Sequence, residues 1–287
     1  MVEEGAIDGL SRDQLLNVVS SAMRTWNEVG TSAPRLTLST FAQSNVGDQA
    51  FGSRCDQPFR ASPRLNMIVL EDQVGGILTG AYLGCTWLTR RGVQLDRVVV
   101  ALRQSYLNDG RNAPWTTADL EAVITHELGH ALALGHSQAP REAHIDSHGE
   151  YVPTMFPVFT RDLSTLQEDD RSTLNALYDF VNPRGLVRIS GRVLLRETGR
   201  IKGLNSANVI AESSEAPMTQ SYSSVSGRRL RSGEFSMLVR PGTYHLYVER
   251  LGRGFEESPP SVPDGKVFPD VSPSATKSTS NLELLIQ

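Results

Sequence analysis

Apolar residues recur at helical spacing over Leu15, Leu16, Val19, Met23 and Trp26 and stop at Gly30. Just ahead of them, Ser11-Arg12-Asp13-Gln14 has capping-box spacing, so the pattern predicts a long amphipathic helix. The chain then changes to short β-rich runs at 35–41, 65–70, 83–89 and 97–102, separated by Gly, Pro, Asn and Asp, which read as one sheet. A second helix is predicted from a cap at Thr116 or Thr117 through Leu120, Val123, Ile124, Leu128 and Leu132 to Gly135. A third is predicted over 168–178. There Glu168, Asp169 and Asp170 suit the positive end of the helix dipole, and Leu174, Leu177 and Tyr178 form the apolar stripe.

Beyond Pro183-Arg184-Gly185 the texture becomes short alternating strands at 187–195, 207–212, 234–239 and 243–248. A Pro- and Ser-rich stretch at 258–280 reads as loop, and 281–286 as a last strand. The expected class is therefore α+β for 1–183, with a mixed sheet and about three helices, followed by an all-β domain at 187–287.

Composition narrows the function without naming it. The 287 residues are 39% hydrophobic and 21% charged, enough for one large or two ordinary globular domains. No apolar run approaches the roughly 20 residues of a membrane-spanning helix. The net charge of -4 and the lack of a basic cluster argue against a nucleic-acid partner. Met1-Val2-Glu3-Glu4 shows neither a basic n-region nor an apolar h-region, so any secretory signal is expected to have been removed or never present. Cys55 and Cys85 are too few for a disulfide scaffold but permit one bridge in an oxidising compartment.

The informative segment is His126-Glu127-Leu128-Gly129-His130-Ala131-Leu132-Ala133-Leu134-Gly135-His136, which holds three of the six histidines. On a helix, i and i+4 project from one face, so His126 and His130 can offer imidazole nitrogens to one zinc ion. His136 becomes the third ligand if the chain turns sharply after the helix, which leaves one position open for water. Glu127, beside the metal, is the expected general base for water attacking a carbonyl, and no nucleophilic Ser or Cys is required.

This segment resembles the metzincin signature H-E-x-x-H-x-x-G-x-x-H, and its HELGHAL run resembles the matrixins, the matrix-metalloproteinase-like group. Pro153-Thr154-Met155-Phe156-Pro157 is similar to the matrixin Met-turn, which carries Met155 over as the residue beneath the metal. Leu166, Asp169-Asp170 and Leu177-Tyr178 match the leucine, paired aspartates and closing Leu-Tyr of that group, and Met23 to Val29 resembles its first helix. The match covers about residues 10 to 182. It implies a secreted zinc endopeptidase whose peptide or protein substrate lies extended and antiparallel to an edge strand, here 83–89, with Leu83, Gly84, Cys85 and Thr86 along it. The pocket for the residue after the cut would be walled by 157–159, including Pro157 and Phe159. Calcium also belongs to the family, with no residues assigned here.

Several readings stay open. Ala133 stands where the family has Gly, and if that position needs φ > 0 a non-Gly residue costs on the order of 1 kcal/mol. The long interval from His136 to Met155 holds His144, Asp146, His148 and Glu150, which read either as a solvated loop or as a second metal site. Glu150 also follows His130 at the interval of a thermolysin-like glutamate ligand, although Pro153 disfavours the helix such a ligand needs. Arg54-Cys55-Asp56-Gln57-Pro58 is faintly similar to the cysteine switch of matrixin propeptides. It lies after the first helix, however, so a Cys55–Cys85 bridge, worth about 3 to 4 kcal/mol, is the favoured alternative.

The second domain resembles the carboxypeptidase regulatory-like, transthyretin-like β-sandwich through Gly191-Arg192-Val193, Ala207-Asn208-Val209, Gly233-Glu234-Phe235 and Pro241-Gly242-Thr243-Tyr244. That implies an accessory module for stability, docking or attachment. The competing functions are a zinc-binding relative without catalysis and an adhesion module built on the sandwich, and no oligomeric state is assigned.

Overall fold

The computed structural model describes residues 2–3, 10–38, 41–42, 67–71, 83–91, 94–103, 116–139, 151–157, 159, 163–179, 185–197, 200–227, 232–250 and 282–286. They form two compact units, one of Met1–Gly30, Pro34–Gly135 and Arg161–Thr165, the other of Thr31–Ala33, His136–Thr160 and Leu166–Gln287.

In the first unit, helix α1 (Arg12–Asn27) begins at the predicted box, with Gln14 N–H donating to Ser11 Oγ and Ser11 N–H to Gln14 Oε1. Its buried face, Leu15, Val18, Val19, Ala22 and Trp26, packs against α2 (Thr117–Ala131). The Trp26 indole N–H donates to the carbonyl of Thr125 at 2.7 Å, one residue ahead of His126. Buried polar atoms need such partners, and this one ties the two helices together beside the motif.

The sheet of this unit has five strands, β1 (Val2–Glu3), β2 (Phe41–Ala42), β3 (Met67–Glu71), β4 (Gly84–Arg91) and β5 (Gln94–Arg103), in the order β2-β1-β3-β5-β4. All neighbours are parallel except β4, which runs antiparallel to β5 at one end of that order. The strand predicted at 35–41 is not formed over 35–38. The Asn27 side chain takes both backbone groups of Leu36, accepting its N–H at 2.9 Å and donating to its carbonyl at 2.8 Å, so those groups are lost to a ladder.

In the second unit, α3 (Glu168–Tyr178) spans its predicted residues. Two antiparallel sheets follow. The first has the order β10-β6-β12, with β7 also on β6, and the second the order β11-β8-β9. Their strands are β6 (Val187–Glu197), β7 (Arg200–Gly203), β8 (Ala207–Ser213), β9 (Ser221–Val225), β10 (Glu234–Val239), β11 (Tyr244–Arg250) and β12 (Leu282–Ile286). Val193, Phe235 and Met237 from one sheet and Val209, Ala211 and Tyr222 from the other share one buried core. Strands β7 and β9 have little apolar alternation, since Arg200 and Lys202 are exposed and β9 is largely serine, so the pattern did not announce them. The class is α+β. The predicted loop at 258–280 and residues His144, Asp146, His148 and Glu150 lie outside the described residues.

Candidate metal centre

Helix α2 starts at a capping box in which Asp119 N–H donates to Thr116 Oγ1 and Thr116 N–H to Asp119 Oδ2. It ends in a Schellman arrangement, with Ala133 N–H on the carbonyl of His130 at 2.7 Å and Leu134 N–H on that of Gly129 at 3.1 Å. Ala133 itself has φ 66°, so the residue in the signature's glycine position adopts the left-handed backbone that favours glycine. Ala133→Gly is therefore expected to stabilise the chain by about 1 kcal/mol, the relief of strain exceeding the added unfolded-state entropy, and to preserve or raise any affinity of the histidine cluster for a metal ion. A urea midpoint that falls in this variant would show that the strain is not at Ala133.

The turn carries the chain so that His126, His130 and His136 each place one ring nitrogen within 4.8 Å of the others. The rings of His126 and His130 meet edge to face at 4.7 Å. His130 Nδ1 lies 3.0 Å from the carbonyl of Leu134, which accepts only the N–H tautomer, so Nε2 is left as the ligand. Zinc with nitrogen ligands at about 2.1 Å needs them about 3.4 Å apart in a tetrahedron. Three half-buried imidazoles, one with its tautomer fixed, form a donor set that fits such an ion.

Glu127 is buried between these ligands in sequence, and Thr86 of β4 gives it a hydroxyl at 2.5 Å from Oε2. Burial raises its carboxyl to about 7, opposed by the Thr86 hydrogen bond. Gly84 supplies the room: a Cβ there would stand 2.7 Å from Glu127 Oε1 and 2.8 Å from its Cγ. Gly84→Ala is thus expected to cost about 1 to 3 kcal/mol, the usual penalty of overpacking. The cost should vanish when Glu127 is also Ala, since the clashing atoms are gone. Urea denaturation of the four proteins of that cycle measures it, and equal costs in both backgrounds would refute the contact.

Met155 is fully buried, its N–H donating to Asp170 Oδ1 and its carbonyl accepting from Ser137 N–H at 2.8 Å. Asp170 also accepts the N–H groups of Thr154 at 2.9 Å and Gln167 at 2.8 Å, so one carboxylate holds the turn at Met155 and the start of α3. Burial raises its carboxyl to about 7 against those donors. Asp169 is raised as well by burial, opposed by hydrogen bonds from Ser137 and Ser223. The pair at 169–170 stood out in the sequence as first-turn acids of a helix and as a match of residue types, and neither signal pointed to this scaffolding role.

Gly84, Cys85 and Thr86 open the end strand β4, with Leu83 just ahead of it, and Gly84 and Thr86 both lie against Glu127, a use the sequence did not suggest. Cys85 is disulfide-bonded, while Cys55, the chain's one other cysteine, lies outside the described residues. Pro157 and Phe159 are half-buried.

Fold and site together define an α+β chain with a three-histidine cluster able to take one metal ion and a buried glutamate next to it in sequence. No protein-family model matches this chain, and no curated protein matches it.

Proposed function

We propose that the chain is a zinc-dependent endopeptidase of the metzincin type, similar to the matrixins, with His126, His130 and His136 as ligands and Glu127 as general base. The observation that carries this reading is the convergence of three imidazole nitrogens on α2 and the turn behind it, with a buried carboxylate one residue from the first ligand. Zinc, when bound, would acidify a water and polarise the scissile carbonyl. The remaining work falls to the chain. Glu127 takes the proton of the attacking water and returns it to the leaving amine. Thr86 and Gly84 orient Glu127, and Met155 forms the floor that Asp170 ties in place.

Strand β4 supports the choice of a peptide substrate. Among the described residues it pairs only with β5, and on this reading an extended substrate segment would add antiparallel to it on the other side. Pro157 and Phe159 would line the pocket for the residue after the cut, and the all-β segment would be an accessory domain of the transthyretin-like kind. The disulfide at Cys85 supports an oxidising, extracellular destination.

The test is cleavage of a diverse peptide library by the zinc-loaded full chain, read by mass spectrometry, with a chelated sample and a zinc-restored sample alongside. The expected result is cleavage that disappears on chelation and returns with zinc. No cleavage by the loaded chain, or cleavage indifferent to chelator, would sink the reading.

A further inference from the structure

The three residues following His136 are tied by several hydrogen bonds to side chains. Ser137, Gln138 and Ala139 are all buried. Ser137 Oγ donates to Asp169 Oδ2 on α3 at 2.5 Å and accepts the N–H of Ala139 at 3.1 Å. Gln138 has both backbone groups engaged by the sheet β11-β8-β9: its N–H donates to Ser223 Oγ on β9 at 3.0 Å, and its carbonyl accepts from Asn208 Nδ2 on β8 at 2.8 Å. Asp169 closes the circuit by accepting the Ser223 N–H at 2.8 Å and its hydroxyl at 3.1 Å. All of these residues belong to the second compact unit, the one that contains His136.

We propose that β8 and β9 are a working part of the metal centre: Asn208 and Ser223 fix the segment that delivers His136, and so set the affinity for zinc. This rests on reading the three histidines as a zinc site. Two ligands sit on one helix and need no help, being i and i+4. The third lies beyond a left-handed turn, where its position depends on what holds the next residues. A ligand held in place before the metal arrives loses less conformational freedom on binding, and groups that orient ligands typically change metal affinity 10- to 100-fold when removed. Asn208 and Ser223 are positioning residues, acting through Gln138 on His136.

The experiment is a zinc competition titration against a chromophoric chelator, performed on the full chain and on Asn208→Ala, Ser223→Ala and Ser224→Ala. Ser224 is the neighbour of Ser223 but gives its hydroxyl to the carbonyl of Ser236 on β10. The expected result is zinc affinity about 10-fold or more weaker in Asn208→Ala and Ser223→Ala, and unchanged in Ser224→Ala. Folded Asn208→Ala and Ser223→Ala chains that bind zinc as tightly as wild type would overturn the proposal.

A second measurement, hydrogen exchange at 137–139 in the zinc-free wild type, needs no variant. Protection of the Gln138 amide without zinc is expected, and exchange at the rate of an unstructured chain overturns the proposal even if the variants fail to fold. Failure of wild type itself to bind zinc would overturn the metal reading, and this proposal with it. Weak binding confined to the variants separates the two.

Discussion

Glu127→Gln is expected to lower peptide hydrolysis by about 10²- to 10⁴-fold while leaving zinc affinity within a factor of three of wild type. The substitution keeps the shape of the side chain, and the amide oxygen can still accept from Thr86 in the space that Gly84 leaves. What it removes is the ability to take a proton. On the proposed reading the metal is held by His126, His130 and His136, so binding has no reason to change. Single-turnover rates on a peptide that the wild type cleaves, with chelator competition on the same samples, give both numbers. A variant that retains more than a tenth of the wild-type rate would show that another group accepts the proton.

The second large effect is on folding. Asp170→Ala removes the carboxylate that accepts three N–H groups, those of Thr154 and Met155 in buried places and that of Gln167 in a half-buried one. At about 1 to 3 kcal/mol for each orphaned donor, and with relaxation recovering part, the expected loss is about 4 kcal/mol. It also has a pH signature. The folded carboxyl is raised by burial to about 7 from an ordinary value of 3.8, so the folded state holds the proton more tightly than the unfolded one. Its contribution to stability is complete below the unfolded value and is lost as pH rises through the interval up to about 7. The stability gap between wild type and Asp170→Ala should therefore narrow from pH 5 to pH 8 in denaturant melts. A gap that widens would mean that the N–H donors outweigh burial and hold the carboxyl down.

Local signals carried a good part of this architecture. Capping residues marked α1 and α2, first-turn acids marked α3, and apolar spacing marked all three, because helices are specified by neighbours within one or two turns. The three histidines stood out by spacing, and their nitrogens do lie together. Strands β7 and β9 stayed hidden because their residues are charged or hydroxylic, and β1 is too short to pattern. The contacts around the cluster were hidden for a different reason. Thr86 to Glu127 spans 41 residues, and Asn208 to Gln138 spans 70, and no periodicity encodes which serine or asparagine will meet which carbonyl. Gly84 illustrates the limit: its identity is plain in the sequence, but its reason, room for Glu127, exists only in three dimensions.

The sequence distance of the bonds on Gln138 also sets a timetable. Its carbonyl meets Asn208, and its N–H meets Ser223, 70 and 85 residues further along the chain. Chain closures of that length form late, after local helices and hairpins. A chain emerging from the ribosome will have α2 complete, with two histidines already side by side, well before the strands that brace Gln138 have been made. Ordering of the segment behind His136 has to wait for β8 and β9, so a half-made chain lacks the braced third histidine while its own unfolded segments are still exposed.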